Sequence, residues 1–217
     1  MVITKYGFNT VLKVSLLAAV ILVLAMTALR NDFLKYTVAA VAGIGFLLVL
    51  NFFRDPERTP PTGNDLIVSP ADGRIVAIRD LFEGEFLNLP AVQVSIFMSP
   101  LDVHVNRFPV TGRIAYFKYI PGKYGAAYSD KASEGNERTH IGIETDGRKL
   151  LFKQIAGAVA RRIVADIEVG QPAVLGARFG MIKFGSRVDV IMPKESVLRV
   201  VLHDRVVAGE TILAAFA

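Results

Sequence analysis

The first fifty residues of the chain are dominated by two long apolar runs. Residues 14–29 and 36–53 contain no charged side chain, and a short polar stretch with Arg30, Asp32 and Lys35 separates them. At 1.5 Å per residue, helices of these 16 and 18 residues would be roughly 24 and 27 Å long, slightly less than a ~30 Å hydrocarbon core. The pattern predicts a membrane-anchoring helical hairpin over residues 1–53, which either spans the bilayer or re-enters it.

A cleaved signal peptide is the competing interpretation of the first run. We disfavour it because a second apolar run follows at once and no small-residue cleavage motif ends the first. Lys5 and Lys13 precede the hairpin, and Arg54 and Arg58 follow it. This slight excess of basic residues outside the connection favours a cell-membrane protein with both ends of the hairpin, and hence the rest of the chain, on the cytoplasmic side.

The pattern changes twice beyond the hairpin. Residues 54–64 contain three prolines, which favour an extended linker. Over residues 65–217, short β-type runs bounded by Gly, Pro and Asp then follow one another, with no alternating long amphipathic helices. We therefore expect a mainly β domain, a β-sandwich or barrel-sandwich. The predicted strands are residues 66–69, 74–78, 91–97, 112–119, 140–144, 150–155, 161–167, 187–192 and 196–202.

Composition and charge narrow the function classes. The 217-residue chain has no cysteine and three histidines, which excludes thiolate catalysis, iron–sulfur clusters and cysteine zinc sites. Its 25 Lys and Arg residues against 20 Asp and Glu give a net charge of +5. This modest excess suits an anionic membrane surface or an anionic ligand and does not indicate nucleic-acid binding. We expect no resident metal and no nucleic-acid partner.

One glycine–serine pair is the remaining candidate for a reactive site, because the usual catalytic motifs are missing. The chain contains no G-x-S-x-G, no P-loop and no H-E-x-x-H. Gly185-Ser186 precedes a strand-like apolar run, although Gly-Ser by itself is a common turn dipeptide. Because glycine has no Cβ, the carbonyl of Gly185 is accessible to the hydroxyl of its neighbour in a tight turn.

The residues around this pair resemble a known family. Residues 178–189, Arg-Phe-Gly-Met-Ile-Lys-Phe-Gly-Ser-Arg-Val-Asp, match throughout the processing-site signature of the phosphatidylserine decarboxylase proenzymes, in particular of their short branch. The resemblance covers about residues 50–217. Three further segments are similar to the same family and occur in the same order, namely residues 68–73, residues 97–104, and residues 130–133 with 136–138.

The resemblance implies a serine that is consumed to make a cofactor. In this family the serine Oγ attacks the preceding carbonyl, the amide becomes an ester, and elimination and hydrolysis leave a pyruvoyl group, a covalently bound pyruvate. Carried over, cleavage between Gly185 and Ser186 gives a large chain of residues 1–185 and a small chain of residues 186–217. The two chains stay together as a heterodimer, and edge strands favour a further dimer.

The resemblance also implies the reaction and its substrate. The pyruvoyl ketone forms a Schiff base with the amine of phosphatidylserine in an anionic membrane. It then accepts the electron pair released with CO2, which leaves phosphatidylethanolamine.

Two polar residues occupy positions to which the family assigns roles. His104 follows Ser-Pro-Leu-Asp-Val at the family's histidine position, and imidazole suits proton transfer near neutral pH. Asp72, in a pattern that by itself is typical of a type I turn, matches an aspartate that takes part in self-cleavage in longer members. Those members have a second histidine where this chain has Arg107. The base that activates Ser186 therefore stays open between His104 and His140.

Cationic side chains are expected beside a phospholipid headgroup. Lys123, Lys131 and Arg138 lie in the polar stretch 121–139, which we interpret as a long loop at the lipid interface. Arg187, next to the predicted cleavage site, is a candidate for binding the substrate carboxylate or phosphate.

Two other functions compete with a decarboxylase. Residues 200–214 resemble the end of lipoyl and biotinyl carrier domains, which favours a non-enzymatic, membrane-tethered adaptor; the usual Met-Lys pair of such carriers is missing. A membrane serine protease would use Ser186, but no nucleophile motif surrounds it. The sequence as a whole favours a pyruvoyl-dependent carboxy-lyase.

Overall fold

The computed structural model describes residues 2–63, 65–122, 135–157, 162–183 and 186–217. The chain forms two compact units, Met1–Pro56 and Glu57–Ala217.

The first unit is the helical hairpin that the apolar runs predict. Helices α1, Phe8–Ala28, and α2, Asp32–Phe52, have 21 residues each and are long and apolar enough to cross a membrane. Each is about 31 Å long at 1.5 Å per residue, so both helices reach the thickness of the hydrocarbon core. They are longer than the charge-free runs because each also includes a flanking turn that carries charge. The Asn31 side chain caps α2 by accepting a hydrogen bond from Leu34 N at 3.0 Å.

Main-chain hydrogen bonds join the start and the end of the hairpin, on the side opposite its connecting turn. Thr4 N donates to Phe53 O at 3.0 Å, and Asp55 N donates to Val2 O at 2.8 Å. The apolar side chains along both helices are largely exposed within this unit. That exposure is expected for helices whose surroundings are lipid rather than protein.

The second unit is mainly β, as the sequence predicts. Its described strands are β1 Leu66–Val68, β2 Gly73–Glu83, β3 Leu89–Met98, β4 Val105–Arg107, β5 Gly112–Ile120, β6 Arg138–Thr145, β7 Arg148–Ala156, β8 Arg162–Ala165, β9 Pro172–Ala173, β10 Arg178–Lys183, β11 Ser186–Pro193, β12 Val197–Leu198, β13 Arg205–Val206 and β14 Ile212–Ala215.

The largest sheet has eight antiparallel strands in the order β13-β2-β3-β11-β7-β6-β5-β9 and curls into a half-barrel. The described residues also form two three-stranded sheets, β4-β10-β8 and β1-β14-β12.

The eight-stranded sheet buries apolar side chains on both faces. The inner face carries the main core, in which Phe179 of β10 packs against Phe108 and Phe152 with ring centroids 5.0 and 5.3 Å apart. The outer face carries a smaller cluster that includes Leu151 and Ile191. Strand β11 lies between β3 and β7 and is buried along almost its whole length.

The strand prediction over residues 196–202 is wrong beyond Leu198. Only Val197–Leu198 form a strand, and the chain then turns. His203 adopts a left-handed φ of 74°, which ends any extended path, and the preceding Val201 and Leu202 point into solvent. An apolar run therefore predicted a strand where the structure has an exposed apolar turn.

Removal of the Phe152 ring tests the main core. We expect Phe152→Ala to lower the free energy of unfolding by about 3–5 kcal/mol, because the ring is fully buried against Phe179 and its loss leaves a cavity. Urea titration in detergent, followed by far-ultraviolet circular dichroism, measures the change. Phe82→Ala is the matched control, because that ring is exposed and its loss should change stability by less than about 0.5 kcal/mol. Equal losses in the two variants would contradict the assignment of the core.

Candidate active site

Ser186 is the first residue of the central strand β11. It lies in register between Met98 of β3 and Ala156 of β7, and it is fully buried. Its Oγ donates a hydrogen bond to Met98 Sδ at 3.1 Å. Gly185, the other half of the predicted cleavage site, lies outside the described residues. The serine hydroxyl is therefore held inside the protein at one end of the sheet, which we call the Ser186 end.

A chain of buried polar side chains continues from Met98 into the core. Asn106 Nδ2 lies 3.8 Å from the same Met98 Sδ, and Asn106 Oδ1 accepts from Gln154 Nε2 at 2.8 Å. Gln154 Oε1 in turn accepts from Thr139 Oγ1 at 2.8 Å. These residues join four strands around Ser186 with mutually satisfied hydrogen bonds. Sequence reasoning missed them, since a single Asn, Gln or Thr in a strand carries no motif.

His104 is fully buried and directly precedes β4. Its Nδ1 lies 2.8 Å from the carbonyl oxygen of Asp102. A carbonyl oxygen can only accept, so Nδ1 carries the hydrogen and Nε2 is the nitrogen that can take up a proton. The His104 carbonyl accepts from Ile182 N at 3.4 Å, four residues before Ser186. The main chain of His104 is thus tied to the strand that leads to the serine.

The loop before His104 is held by the side chain of Asp102. One carboxylate oxygen accepts from Ser99 N at 2.8 Å, and the other accepts from an Arg205 nitrogen at 3.2 Å. Because the carbonyl of the same residue orients the His104 ring, Asp102 fixes both the loop and the imidazole.

Asp72 binds groups other than Ser186. Its Oδ1 accepts from Ala208 N at 2.7 Å, and its Oδ2 accepts from an Arg58 nitrogen at 2.8 Å. The turn that carries it is attached to β4, because Pro70 O accepts from Arg107 N at 3.0 Å. The carboxylate therefore ties its turn to two distant segments of the unit.

Arg107, at the position of the family's second histidine, is also buried. Its guanidinium donates to Gly176 O at 2.9 Å. A guanidinium stays protonated in proteins, so this side chain cannot replace an imidazole as a base.

The alternation of side chains separates two predicted site residues from Ser186. His140 and Asp189 are both register partners of Lys153, so their side chains share one face of the sheet. Asp189 lies three residues after Ser186 and therefore faces the opposite side. The structure thus places His140 on the outer face, with Arg187, whereas Ser186 faces the main core.

Arg187 is buried, and its charge is compensated within the protein. Its Nε donates to Asp189 Oδ1 at 2.6 Å, and a terminal nitrogen donates to Ser95 Oγ at 2.9 Å. The structure therefore gives this guanidinium a structural partner in place of the expected substrate carboxylate or phosphate.

His140 belongs to a cluster centred on Glu85. That carboxylate accepts from His140 Nδ1 at 2.5 Å, Lys118 Nζ at 2.7 Å and Tyr116 Oη at 2.8 Å. Burial raises the pKa of Glu85, but the three hydrogen bonds outweigh it and lower the pKa to about 2. Burial, together with the positive charge of Lys153, lowers the pKa of His140. These hydrogen bonds hold Glu85 and its neighbours against the outer face of the sheet.

The predicted phosphate-binding residues are only partly described. Lys123 and Lys131 lie outside the described residues. Arg138 begins β6 and donates to Asn136 O at 3.0 Å. Asn136 itself donates from Nδ2 to Ala156 O at 2.7 Å, so the family-like segment 136–138 lies against the register partner of Ser186. Within the ranges that the structure describes, no three His, Asp or Glu side chains are grouped to hold a metal ion.

Comparison with known proteins places the chain among the carboxy-lyases. The family model described as phosphatidylserine decarboxylase matches residues 46–214. The chain belongs to the phosphatidylserine decarboxylase family.

Individual relatives agree with this assignment. The chain is 43% identical to the phosphatidylserine decarboxylase proenzyme of Chlorobium luteolum, over 98% of this chain and 99% of the relative. It is 52% identical to the proenzyme of Salinibacter ruber, over 80% of this chain and 77% of the relative. It is 48% identical to that of Symbiobacterium thermophilum, over 81% of each.

The Glu85 cluster predicts a pH-dependent contribution to stability. The folded pKa of about 2 lies below the ordinary value of 4.5, so the contribution is present above pH 4.5 and is lost as the pH falls towards 2. We expect Glu85→Gln to lower the free energy of unfolding by about 1–2 kcal/mol at pH 7, since charge-assisted hydrogen bonds are lost. The difference from wild type should shrink between pH 4.5 and 2.

Urea midpoints at pH 7, 4 and 2.5 measure this difference. Glu168→Gln, a change at an exposed carboxylate, is the control and should follow the wild type throughout. A difference that stays constant with pH would contradict the ionised role of Glu85.

Proposed function

We propose that the chain is the proenzyme of a pyruvoyl-dependent phosphatidylserine decarboxylase. It cleaves itself between Gly185 and Ser186 and then converts phosphatidylserine into phosphatidylethanolamine and CO2. The observation that supports this proposal most is the burial of Ser186 at the start of β11, within residues 178–189 that match the processing signature. The relatives are named proenzymes, which agrees with a cleaved product.

The proposed cleavage uses only groups of the chain and water. Ser186 Oγ bonds to the carbonyl carbon of Gly185 as the peptide C–N bond breaks, which gives an ester. Removal of the Cα proton of Ser186 then breaks its Cβ–Oγ bond and releases residues 1–185 with a terminal carboxylate. Water displaces the nitrogen of the remaining dehydroalanine as ammonia, and a pyruvoyl group is left at the start of residues 186–217.

The strand pairing supports a small chain that stays bound after cleavage. Residues 186–217 contain β11, which pairs with β3 and β7, and β14, which pairs with β1. These pairings join the small chain to the large chain, and they remain when the Gly185–Ser186 bond is broken. The product is accordingly a heterodimer that shares one core.

The surroundings of Ser186 fit a pyruvoyl group. This group replaces the backbone nitrogen by a ketone oxygen and the CH2OH by a methyl, so it needs no more space than serine. The lost hydroxyl leaves the Met98 thioether, a weak acceptor that Asn106 Nδ2 still approaches at 3.8 Å, so the loss costs little. When formed, the group supplies a ketone that reacts with a primary amine and acts as an electron sink during loss of CO2.

His104 is the proposed proton donor to the substrate α-carbon. Its Nδ1 is occupied by the Asp102 carbonyl, which leaves Nε2 to hold and deliver the proton. The role of Asp72 in self-cleavage is the one that the resemblance implies, and its hydrogen bonds from Arg58 and from Ala208 N hold the turn that carries it.

The hairpin is the proposed anchor in the cytoplasmic membrane. Two 21-residue apolar helices, the flanking Lys5 and Arg54, and Lys13 near the start of α1 support an insertion with both ends on the cytoplasmic side. The β unit then meets its phospholipid substrate at that surface.

Substitution of Ser186 tests self-cleavage. Ser186→Ala should remain a single 23.6 kDa chain without decarboxylase activity, because no hydroxyl can attack the Gly185 carbonyl. Wild type should give two chains, and the smaller one should lack a free N-terminal amine and react with hydrazine-type carbonyl reagents. Mass spectrometry of both proteins measures this. Ser196→Ala, a change at another buried serine, should be cleaved as wild type. Intact wild-type protein with an ordinary Ser186 would refute the proposal.

Substitution of His104 tests its proton-transfer role. His104→Ala should form phosphatidylethanolamine about 10²–10⁴ times more slowly, the usual contribution of a general acid. The cleaved fraction of the same sample shows whether His104 also activates Ser186. His140→Gln should be cleaved normally, because its side chain lies on the other face of the sheet. Undiminished activity of His104→Ala would contradict the assignment, and an uncut His140→Gln would return His140 to the site.

A further inference from the structure

A groove lies next to the loop that leads to His104. Its volume is about 390 Å³, and it opens on the surface of the β unit. Its lining includes Arg74, Phe97, Ser99, Leu101, Asp102 and Arg205.

The groove has an excess of positive charge. Arg74 and Arg205 are register partners on β2 and β13, and both are exposed. Arg74 donates to His203 O at 2.9 Å, and Arg205 contacts the largely buried Asp102 carboxylate at 3.2 Å. Two arginines and one aspartate therefore line the groove, and guanidinium N–H groups are of the kind that binds phosphate.

Exposed apolar side chains border these arginines. Leu101 is 64% exposed and adjoins Asp102. Val201 and Leu202, also exposed, precede the His203 carbonyl that holds Arg74. Single exposed apolar residues are ordinary, but a group of them with arginines is typical of surfaces that lie at the boundary of lipid headgroups and acyl chains.

The groove lies close to the candidate active site, on the outer face of the sheet. Asp102 contributes its carboxylate to Arg205 and its carbonyl to the His104 ring. Phe97 in the groove is the register partner of Arg187 and therefore faces the outer side, whereas its neighbour Met98 is the partner of Ser186. The groove therefore lies at the Ser186 end of the sheet.

We propose that Arg74, Leu101, Val201, Leu202 and Arg205 form an interfacial surface that docks the β unit on an anionic phospholipid bilayer. The arginines bind headgroup phosphates, and the apolar side chains enter the interface. The inference deepens the proposed function, since it rests on a membrane phospholipid as the substrate. It adds a lipid contact made by the β unit itself, next to the loop of His104.

The absence of cysteine allows a direct test in the full chain. Leu101→Cys and Phe82→Cys each give one labelling site, at positions that are 64% and 65% exposed. Phe82 is eight residues from Arg74 along β2, roughly 25 Å away at 3.3 Å per residue. Each protein is labelled with an environment-sensitive dye and reconstituted in vesicles of phosphatidylcholine alone or mixed with phosphatidylglycerol. Neither lipid has the amine and carboxylate of the proposed substrate.

We expect a lipid-dependent signal at Leu101 only. Its dye should shift to the blue in the anionic vesicles and be quenched by spin-labelled lipid, while the dye at Phe82 stays in water. Equal responses at the two positions, or none at Leu101, would overturn the proposal. So would a blue shift at Leu101 without vesicles that grows with protein concentration, because that outcome indicates a protein contact.

The arginines are tested in the Leu101→Cys protein. Arg74→Gln and Arg205→Gln should each lower the ratio of docked to undocked protein about fivefold, as expected for one cation near an anionic surface. Arg113→Gln is the matched control, because Arg113 is 66% exposed and pairs with Glu144 at 3.4 Å, much as the 76% exposed Arg205 pairs with Asp102. An equal effect of all three changes would overturn the proposal.

Decarboxylation is measured separately in each protein. Docking without decarboxylation would refute the proposed function and leave the interfacial surface standing. Decarboxylation without docking would refute the interfacial surface and leave the proposed function standing.

Discussion

The register of β11 determines where the candidate active site lies. A slip of one residue would exchange the two faces of the strand, placing the Arg187–Asp189 ion pair in the main core and Val188 and Val190 on the outer face. An ion pair in an apolar core that cannot satisfy its hydrogen bonds costs several kcal/mol. The alternation of charged and apolar side chains thus specifies one register. That register sets Ser186 between Met98 and Ala156.

The same alternation explains why a residue next to Ser186 in the sequence does not share its site. Arg187 adjoins Ser186 in the chain but projects from the opposite face, where Asp189 and Ser95 bind it. His140 is likewise on the outer face, fastened to Glu85. His104 and Asn106, about eighty residues away in the chain, are among the polar residues that the fold connects to the neighbourhood of the serine.

The sequence could predict those features that rest on pattern or motif. The two helices and the longer strands follow from hydrophobic periodicity, and the positions of Ser186, His104 and Asp72 follow from family-like segments. Short strands such as β4 and β13 lack enough residues to show a period, and β10 contains Gly180 where the carbonyl of Val164 packs too closely for a side chain. The partners of Asp72 lie 14 and 136 residues away, so only the fold could reveal that its carboxylate is engaged.

Ser186 makes a weak hydrogen bond, whereas the polar side chains around it make strong ones. This difference suits a hydroxyl that has to react with its own backbone. Asn106, Gln154 and Thr139 are joined by short bonds between strong donors and acceptors, which fix the walls of the site. Ser186 Oγ instead donates to a thioether, a weak acceptor that releases it at small cost. A carboxylate in the place of Met98 would hold the hydroxyl in one orientation and oppose its turn towards the preceding carbonyl. Rigid walls and a loosely held hydroxyl are what an intramolecular attack requires, because the walls fix the strand end while the nucleophile keeps the freedom to rotate.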